Sequence, residues 1–503
     1  MSVEPETLSA ATAGTSFGAA TAPARNDRGI IAESYYDLQG LGVLAAARAS
    51  YPLPKASGES TLRAIFQAVE VALLNLADVV GRAADDLESG ARDAAAVKLL
   101  WARGFHRVLI RLSMMPEQLG LMADARGRHG ILRLRDSQAF QDYLRTVARL
   151  DKNLFIRIRS GEFDVEATVG NESLDSADFT LLHALRISNH ASTIWERNLA
   201  EVHIPASVPS YDEFVVAHGM KDAVYERVLT GDTYFTQFRG LHQVPEILGE
   251  EINDRIEQAI REIRYDRLQS ALEHLACVDV LSEGVLASLP PMVDNLATSD
   301  YHQIRENLGL TSGSHSVCLR FHMFTHLYEE LWEELGHQFT GAAVREMNDD
   351  QVEAMIRETD SRRFSDSRAW MLHVLSNHCL KLRTFIFQWR DEHLNLPRNN
   401  LGGGFTKSLT GSPDAVEAVK RMRDGARAKD PLLPLMRSRS LATSQSERRN
   451  GPLTQYLESE SSLDMYLLAA TGHVTQQRFQ SVQERLGYFA NKCPFTPPPR
   501  RKA

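Results

Sequence analysis

Three clusters in the second half of the chain combine residue types that a purely structural helix does not need. The first is the segment Phe-Arg-Gly-Leu-His-Gln at residues 238–243. Phe238 and His242 lie one helical turn apart, so an aromatic ring and an imidazole share one face. Such a pair could line a binding pocket. The alternative is a core histidine whose ring is satisfied by a backbone carbonyl, which is the commoner meaning of a single histidine on an apolar face.

The second cluster, residues 310–320, is a turn rich in small and hydroxyl-bearing residues that leads into a helix carrying Arg320. An arginine directed into a cavity can hold a carboxylate through two parallel hydrogen bonds. Most arginines are instead solvated surface residues. The cluster therefore offers a candidate anion anchor at the start of a helix.

The third cluster is Phe-Gln-Trp-Arg-Asp-Glu-His at residues 387–393, followed by a loop with three glycines at residues 402–404. A histidine at the end of an aromatic-rich helix is a reasonable axial ligand for haem iron, and glycines let the backbone approach a ligand closely. A fourth pattern places His322, His326 and Glu330 on one helical face, which could bind zinc or iron. A polar stripe on a long helix is the alternative reading of that pattern.

The elements that must position these clusters are long amphipathic helices. The chain has 503 residues, of which 43% are hydrophobic and 24% charged, a composition typical of a soluble protein with a sizeable core. Apolar residues recur at spacings of three and four in the segments 62–79, 99–112, 235–248, 252–263, 268–280, 317–335 and 370–387. Almost no alternating run separates them, so the pattern predicts an all-α fold.

Charge and cysteine usage exclude several classes of function. The chain has 56 Lys+Arg against 65 Asp+Glu, a net charge of -9, which argues against binding to nucleic acid. Its four cysteines are far apart and form no C-x-x-C pair, so neither a disulfide framework nor a thiolate zinc site is expected. No apolar run approaches 18 residues, and no signal peptide is visible, so we expect a cytoplasmic protein without membrane contact.

Composition shifts divide the chain into six segments. We expect a disordered leader at 1–28, an N-terminal helical lobe at 29–205, and a helical domain at 206–436 that carries all the clusters. A polar linker at 437–452 then leads to C-terminal helices at 453–490 and a disordered tail at 491–503. The prolines at 205 and 209 and the run rich in Ser, Arg, Asn and Gln mark the two main boundaries.

A short similarity links the two halves. Residues 65–70 resemble residues 241–246, and each segment follows an aromatic stretch, at 35–38 and 211–214 respectively. The pattern is consistent with a degenerate duplication or with the chance similarity of two amphipathic helices.

Taken in order, the three clusters resemble the tryptophan 2,3-dioxygenase family of haem-dependent aromatic oxygenases. That family carries the motifs Y-x-x-Y-L, F-I-I-x-H-Q-x-x-E-L-W, S-G-F-Q-S-x-Q-F-R, W-R-x-x-H and G-T-G-G-S. The matching residues lie within 208–412 and are Tyr211, Phe214, Phe238, His242, Gln243, Glu246, Ser312, Gly313, Ser316, Arg320, Trp389, Arg390 and His393. The resemblance implies an all-α bundle of this family's type, with the first half as a second lobe.

The resemblance also implies a cofactor and roles for individual residues. His393 would be the proximal ligand of haem b, His242 the distal residue near the indole nitrogen, Phe238 a wall against the substrate ring, and Arg320 the anchor of the carboxylate. Tyr211 and Phe214 would belong to the aromatic segment that contributes to substrate binding.

The loop after the histidine helix departs from the family pattern. Gly403 stands where the family has a threonine that binds the substrate ammonium, and Thr406 is a possible substitute. Amine recognition is therefore the least certain part of the implied site.

The first half departs further, because Phe66 and Leu62 stand where the distal histidine and the wall phenylalanine would be. We therefore expect one active and one structural copy. In the family, subunits exchange N-terminal segments across their pockets, so the resemblance implies a homodimer of two-lobed chains in which the fused copy supplies this segment.

The activity implied is insertion of dioxygen into an indole, most simply 2,3-dioxygenation of L-tryptophan or a substituted tryptophan to an N-formylkynurenine. Two alternatives stay open. The same haem scaffold could oxidise another intermediate derived from an aromatic amino acid in a biosynthetic pathway, for instance by monooxygenation. The protein could also be a helical haem-binding protein without turnover.

Overall fold

The structure, a computed structural model, describes residues 24–25, 31–32, 39–120, 130–161, 194–204, 210–225, 234–308, 319–402, 406, 413–428 and 430–439. Helices dominate these residues, which confirms the predicted all-α fold. The strands described are short: β1 (Ala24–Arg25) pairs with β2 (Ile31–Ala32), and β3 (Gly130–Arg133) pairs antiparallel with β4 (Glu201–Ile204). Most of the predicted leader, and all of the predicted C-terminal helices and tail, lie outside the described residues.

The helices are, in chain order, α1 (Leu41–Ala49), α2 (Gly58–Ser89), α3 (Arg92–Gln118), α4 (Gln138–Arg159), α5 (Tyr211–Val215), α6 (Ala217–Tyr225), α7 (Phe235–Arg264), α8 (Leu268–Ala287), α9 (Leu289–Asn295), α10 (Thr298–Leu308), α11 (Leu319–Thr340), α12 (Asp349–Ser361), α13 (Ser367–Leu401) and α14 (Ala415–Ala428). Further helical residues lie at 194–199 and 433–439.

Helix α7 is one continuous helix, whereas the sequence pattern predicted two, at 235–248 and 252–263. The polar residues that suggested a break are buried and paired inside the protein. Glu251 accepts hydrogen bonds from Thr61 and, at 3.1 Å, from Arg255 one turn later. Because these charges are satisfied, the helix continues through them.

Helices α2 and α7 form the centre of the protein. Helix α2 packs on α3, α4 and α7, while α7 also packs on α8 and α11. The two central helices approach closely at Gly240, where an added Cβ would overlap the side-chain amide of Asn75. Asn75 is fully buried, and its amide nitrogen donates to the Val71 carbonyl at 2.8 Å. The missing side chain at residue 240 therefore sets the distance between α2 and α7.

Helix bounds recur at a constant offset along the chain. Helix α1 spans 41–49 and α6 spans 217–225, so both ends are 176 residues apart. The starts of α3 and α8, at residues 92 and 268, differ by the same number. Gly90 and Asp266, which follow the long helices α2 and α7, both have left-handed backbones with φ of 85° and 59°. The similar segments 65–70 and 241–246 have this spacing too.

Residues on the two sides of the predicted boundary between 205 and 206 contact each other. Residues of α5, which the sequence assigned to the second domain, lie on α2 of the first. Arg63 Nε donates to the Phe214 carbonyl and Gln67 Nε2 to the Val215 carbonyl, both at 2.9 Å. These buried side chains need carbonyl acceptors, and the chain entering the second half supplies them.

Helical residues extend to 439, and the rest of the predicted linker at 437–452 lies outside the described residues. Arg439 Nη2 donates to Ser376 Oγ of α13 at 2.9 Å, and Arg439 Nε lies 3.2 Å from the Asp360 carboxylate. These bonds hold the end of the described chain against the second half.

Two of the described helices are long and apolar enough to cross a membrane by length and composition. They are Gly58–Ser89, with a mean hydropathy of 1.6, and the stretch Leu268–Asn295, with 1.3. No membrane-spanning helix was expected from the sequence, because no apolar run approaches 18 residues; Glu70 and Asp78 interrupt the first of these two helices. The most apolar window of the first helix is 89% buried inside the protein, as expected of a core helix.

We expect Gly240→Ala to lower the free energy of unfolding by about 1 to 3 kcal/mol, the usual cost of overpacking a core. The added methyl group would collide with Asn75, whose own hydrogen bond holds it in place. Urea unfolding of the four proteins of a double-mutant cycle with Asn75→Ala measures the effect. The cost should shrink when Asn75 is already truncated, and an equal cost in both backgrounds would show that this contact does not set the helix spacing.

Candidate functional site

Phe238 and His242 lie together on α7, as their spacing predicted. Their ring centroids are 4.3 Å apart, and the Phe238 ring is buried. His242 Nδ1 lies 2.7 Å from the carbonyl oxygen of Phe238. A carbonyl can only accept, so Nδ1 carries the proton and Nε2 keeps its lone pair. The bond to the backbone fits the alternative of an ordinary core histidine, but it leaves Nε2 available to a ligand.

His393 lies on α13 and stacks on Trp389, one turn earlier. The two ring centroids are 5.0 Å apart and the planes differ by 12°. Helix α13 begins at the N-cap Asp366 and continues beyond His393 to Leu401, where Gly402 with φ 67° ends it. The histidine therefore lies two turns inside the helix, not at its end as the sequence analysis supposed.

The two imidazoles are close enough to influence each other's protonation. Burial, together with the charge that His242 would carry when protonated, lowers the pKa of His393 to about 4. Burial also lowers the pKa of His242. Because such a charge effect falls off with distance, the side chains from α7 and α13 must approach each other. Both rings are neutral at physiological pH.

Helices α7 and α13 both pack on α8 and on α11, which connect the two histidine-bearing helices. Each imidazole is half-buried, and loss of solvation lowers its pKa.

The side chains present fit a haem. Haem iron takes a neutral imidazole as an axial ligand, and the flat macrocycle requires an apolar, aromatic surround. His393 supplies a neutral nitrogen, and Trp389 holds its ring plane. Phe238 adds an apolar ring in contact with His242, which offers a second neutral imidazole.

Tyr211 and Phe214 lie on the first half of the protein. The Tyr211 hydroxyl donates to Glu70 Oε2 at 2.9 Å, and the Tyr211 ring meets Phe66 edge-on with centroids 6.0 Å apart. The Arg63 guanidinium lies 5.7 Å from the Phe214 ring. The hydrogen bonds and ring contacts described for both residues thus join them to first-half residues, and not to Phe238 or His242.

Three other predicted site residues are placed only in part. Arg320 is the second residue of α11, but its side chain lies outside the described residues, as does all of Gly403. Thr406 is half-buried, and its carbonyl accepts from the Ala415 amide at 2.9 Å, which ties the loop after α13 to the start of α14. The roles of these residues remain predictions.

The alternative metal pattern on α11 gains no support from the described side chains. The side chain of His322 lies outside them, His326 is exposed, and Glu330 pairs with Arg264 at 3.3 Å. Throughout the described part of the chain, no group of three His, Cys, Asp or Glu side chains is arranged to hold a metal ion.

At the position that corresponds to His242, the first half has no imidazole. Phe66, at the position that corresponds to His242, is fully buried. Its buried histidine, His106, accepts a hydrogen bond at Nδ1 from Trp195 Nε1 at 2.9 Å, with Tyr143 edge-on to the ring at 6.0 Å. Burial lowers the pKa of His106 to about 3. This histidine is a satisfied core residue.

Sequence reasoning gave no role to Arg239 or to Gln243, although both belong to the first cluster. Each is almost completely buried and donates to backbone carbonyls of another segment. A buried arginine between apolar helix positions is the signal that could have identified them.

Comparisons with known proteins show a distant similarity. No protein-family model matches the chain. The chain is similar to a tryptophan 2,3-dioxygenase from Bacillus thuringiensis subsp. konkukian (strain 97-27), with 22% identity over 219 residues that cover 37% of this chain and 77% of the relative. This weak similarity supports a family relationship in the same direction as the motifs.

The buried His393 makes stability depend on pH in a defined direction. Its pKa is about 4 in the folded protein against 6.5 in the unfolded chain, so only the unfolded chain takes up a proton between these values. Stability should fall as the pH drops below 6.5. We expect His393→Gln to make this decline shallower by up to about 1.4 kcal/mol per pH unit.

Urea unfolding at several pH values between 7 and 5 measures these slopes. The exposed His326→Gln serves as the matched control and should keep the wild-type slope. Equal slopes for wild type and His393→Gln would contradict the buried, neutral state of His393.

Proposed function

We propose that the protein is a haem-dependent oxygenase that acts on L-tryptophan or a substituted indole, most simply by 2,3-dioxygenation to an N-formylkynurenine. The observation that carries the proposal is the pair of half-buried imidazoles with lowered pKa values, His242 and His393, each packed against an aromatic ring on its own helix. The distant similarity to a tryptophan 2,3-dioxygenase supports it independently.

His393 would hold the haem. Its lowered pKa keeps the nitrogen lone pair free of a proton, as an axial ligand requires. Stacking on Trp389 fixes the plane of the ring. When bound, haem b supplies an iron centre that binds dioxygen, while the protein orients the substrate and excludes water.

His242 and Phe238 would position the indole. The Phe238 carbonyl fixes the proton on Nδ1, so Nε2 can accept a hydrogen bond from the indole N–H. The Phe238 ring provides an apolar wall at van der Waals distance from the imidazole. Together they select a flat ring with one N–H at its edge.

Arg320 would hold the carboxylate of the substrate through paired hydrogen bonds. The ammonium group would meet the loop after α13, where Gly403 and Thr406 lie. Dioxygenation adds both oxygen atoms of dioxygen to the substrate, so it needs no external reductant. Mass spectrometry should therefore show a product heavier than tryptophan by both atoms of labelled dioxygen.

The glycine at position 403 favours a second candidate. It removes the threonine hydroxyl expected near the ammonium group, which suits a substrate with a modified amine. The same site would then oxidise another intermediate derived from an aromatic amino acid. A panel of indole and phenol compounds, titrated anaerobically into the reduced protein, distinguishes these substrates by the shift of the haem spectrum.

His393→Ala should abolish haem binding, because it removes the proposed axial ligand. The Soret absorbance per chain measures haem content after loading with haem b. His326→Ala, which changes an exposed histidine on α11, should retain it. A His393→Ala protein that keeps the wild-type haem content and spectrum would contradict the assignment of His393 as the haem ligand.

Arg320→Leu should leave haem content intact and weaken the binding of a carboxylate-bearing substrate by roughly 2 to 5 kcal/mol, the scale for removing one partner of a desolvated, hydrogen-bonded charge pair. Titration of L-tryptophan against its decarboxylated analogue tryptamine measures this. The variant should lose the preference for the acid. An unchanged preference would mean that Arg320 does not contact the carboxylate.

A further inference from the structure

Two short segments that contact the central helices have corresponding helix bounds and a corresponding left-handed residue. The first hook is residues 39–49, which contain α1, and the second hook is residues 215–225, which contain α6. Each enters its helix through a left-handed residue, Gly40 with φ 65° and Val216 with φ 59°. The hooks pack on each other, and an added Cβ at Gly219 would overlap the side chain of Ala47.

The start of each hook is held by a glutamine of the other half's long helix. Gln67 Nε2 of α2 donates to the Val215 carbonyl at 2.9 Å. Gln243 Nε2 of α7 donates to the Gln39 carbonyl at 2.8 Å. Gln39 and Val215 are 176 residues apart, as are Gln67 and Gln243, so the two bonds correspond.

Gln243 and Arg239 of α7 also bind the end of the second hook. Gln243 Nε2 donates to the Ala223 carbonyl at 2.7 Å, and Arg239 donates to the same carbonyl at 2.7 Å and to that of Val224. At the end of the first hook, the half-buried Arg48 donates to the side-chain oxygen of Gln67 on α2 at 2.8 Å. The backbone carbonyls at the end of the second hook are thereby satisfied by buried side chains.

We propose that the two halves are copies of one unit that hold each other by these hooks, and that Gln243 and Arg239 are positioning residues for the proposed site. Each of the two follows a site residue directly in the chain: Arg239 follows Phe238 and Gln243 follows His242. Neighbouring helix positions point about 100° apart. One face of this turn therefore carries Arg239 and Gln243 toward the hooks, and the adjacent face carries Phe238 and His242.

Through these hydrogen bonds, the first half helps to hold the turn of α7 that carries Phe238 and His242. Gln243 and Arg239 are 2% and 1% exposed, so losing either bond leaves buried carbonyls unpaired, and the turn of α7 must shift to compensate. The imidazole of His242 moves with that turn. The effect of this movement on substrate binding rests on the proposed function, whereas the hydrogen bonds between the hooks and the opposite halves do not.

The first half supplies a matched control. Gln67 makes the corresponding bond and is fully buried, but its preceding neighbour is Phe66 and not a histidine. Gln67→Met and Gln243→Met therefore remove similar hydrogen bonds from similar surroundings. They differ in whether an imidazole of the proposed site lies beside the change.

The experiment uses full-length, haem-loaded protein and L-tryptophan as the probe. Both variants should lose thermal stability. Gln243→Met should also raise the apparent Kd for L-tryptophan, read from the haem spectrum of the reduced protein, about tenfold, which corresponds to roughly the loss of its two hydrogen bonds. Gln67→Met should keep the wild-type value. Equal shifts in both variants, or a shift in neither, would overturn the positioning role.

A second variant disturbs the same region by a substitution in the first hook. Gly40→Ala places a Cβ 2.7 Å from the Ala223 carbonyl oxygen at a positive φ, so it displaces the first hook without changing α7. It should weaken L-tryptophan binding in the same way as Gln243→Met. A Gly40→Ala protein with wild-type binding would also overturn the proposal, even where Gln243→Met fails to fold.

Hydrogen exchange separates this proposal from the proposed function. Peptides at the start of the first hook should exchange faster in Gln243→Met, and those at 210–216 in Gln67→Met. If the wild-type protein binds no haem, the proposed function fails while this exchange pattern still tests the hooks. If haem and substrate bind but the exchange pattern is the same in both variants, the hook assignment fails alone.

Discussion

The close approach of α2 and α7 at Gly240 is the contact on which the rest of the protein depends. It brings the two longest runs of buried residues together and leaves their outer faces for other elements. Helices α3 and α4 cover α2, while α8 and α11 cover α7, and α13 then packs on α8. Helix α11 also packs on both α7 and α13, so α8 and α11 together fix the position of His393 relative to His242.

Burial determines the chemistry of the site as much as the identity of its residues does. Two histidines near each other at a surface would titrate close to neutral pH. Here, loss of solvation lowers the pKa of both, and the second charge makes protonation of His393 harder still. The Phe238 carbonyl then selects the tautomer of His242. Protonation state and proton position are thus set by the fold, before any ligand is present.

Local periodicity predicted what depends on local geometry. The all-α class, the shared face of Phe238 and His242, and the one-turn spacing of Trp389 and His393 all follow from 3.6 residues per turn. The continuity of α7 could not be predicted in this way, because Glu251 is satisfied by Thr61, 190 residues earlier in the chain. The attachment of Tyr211 to Glu70 is likewise a long-range contact without a local signal. Long-range pairing decided both of these differences between expectation and structure.

The reciprocal hydrogen bonds of the hooks also constrain the order in which the protein can fold. Gln67 donates to a carbonyl 148 residues later in the chain, and Gln243 donates to a carbonyl 204 residues earlier. During synthesis, the first half therefore emerges before the acceptor of Gln67 exists, although α3 and α4 can already cover α2. Contacts of such sequence separation close late and slowly. The bonds that join the two halves can form only after most of the second half has been synthesised.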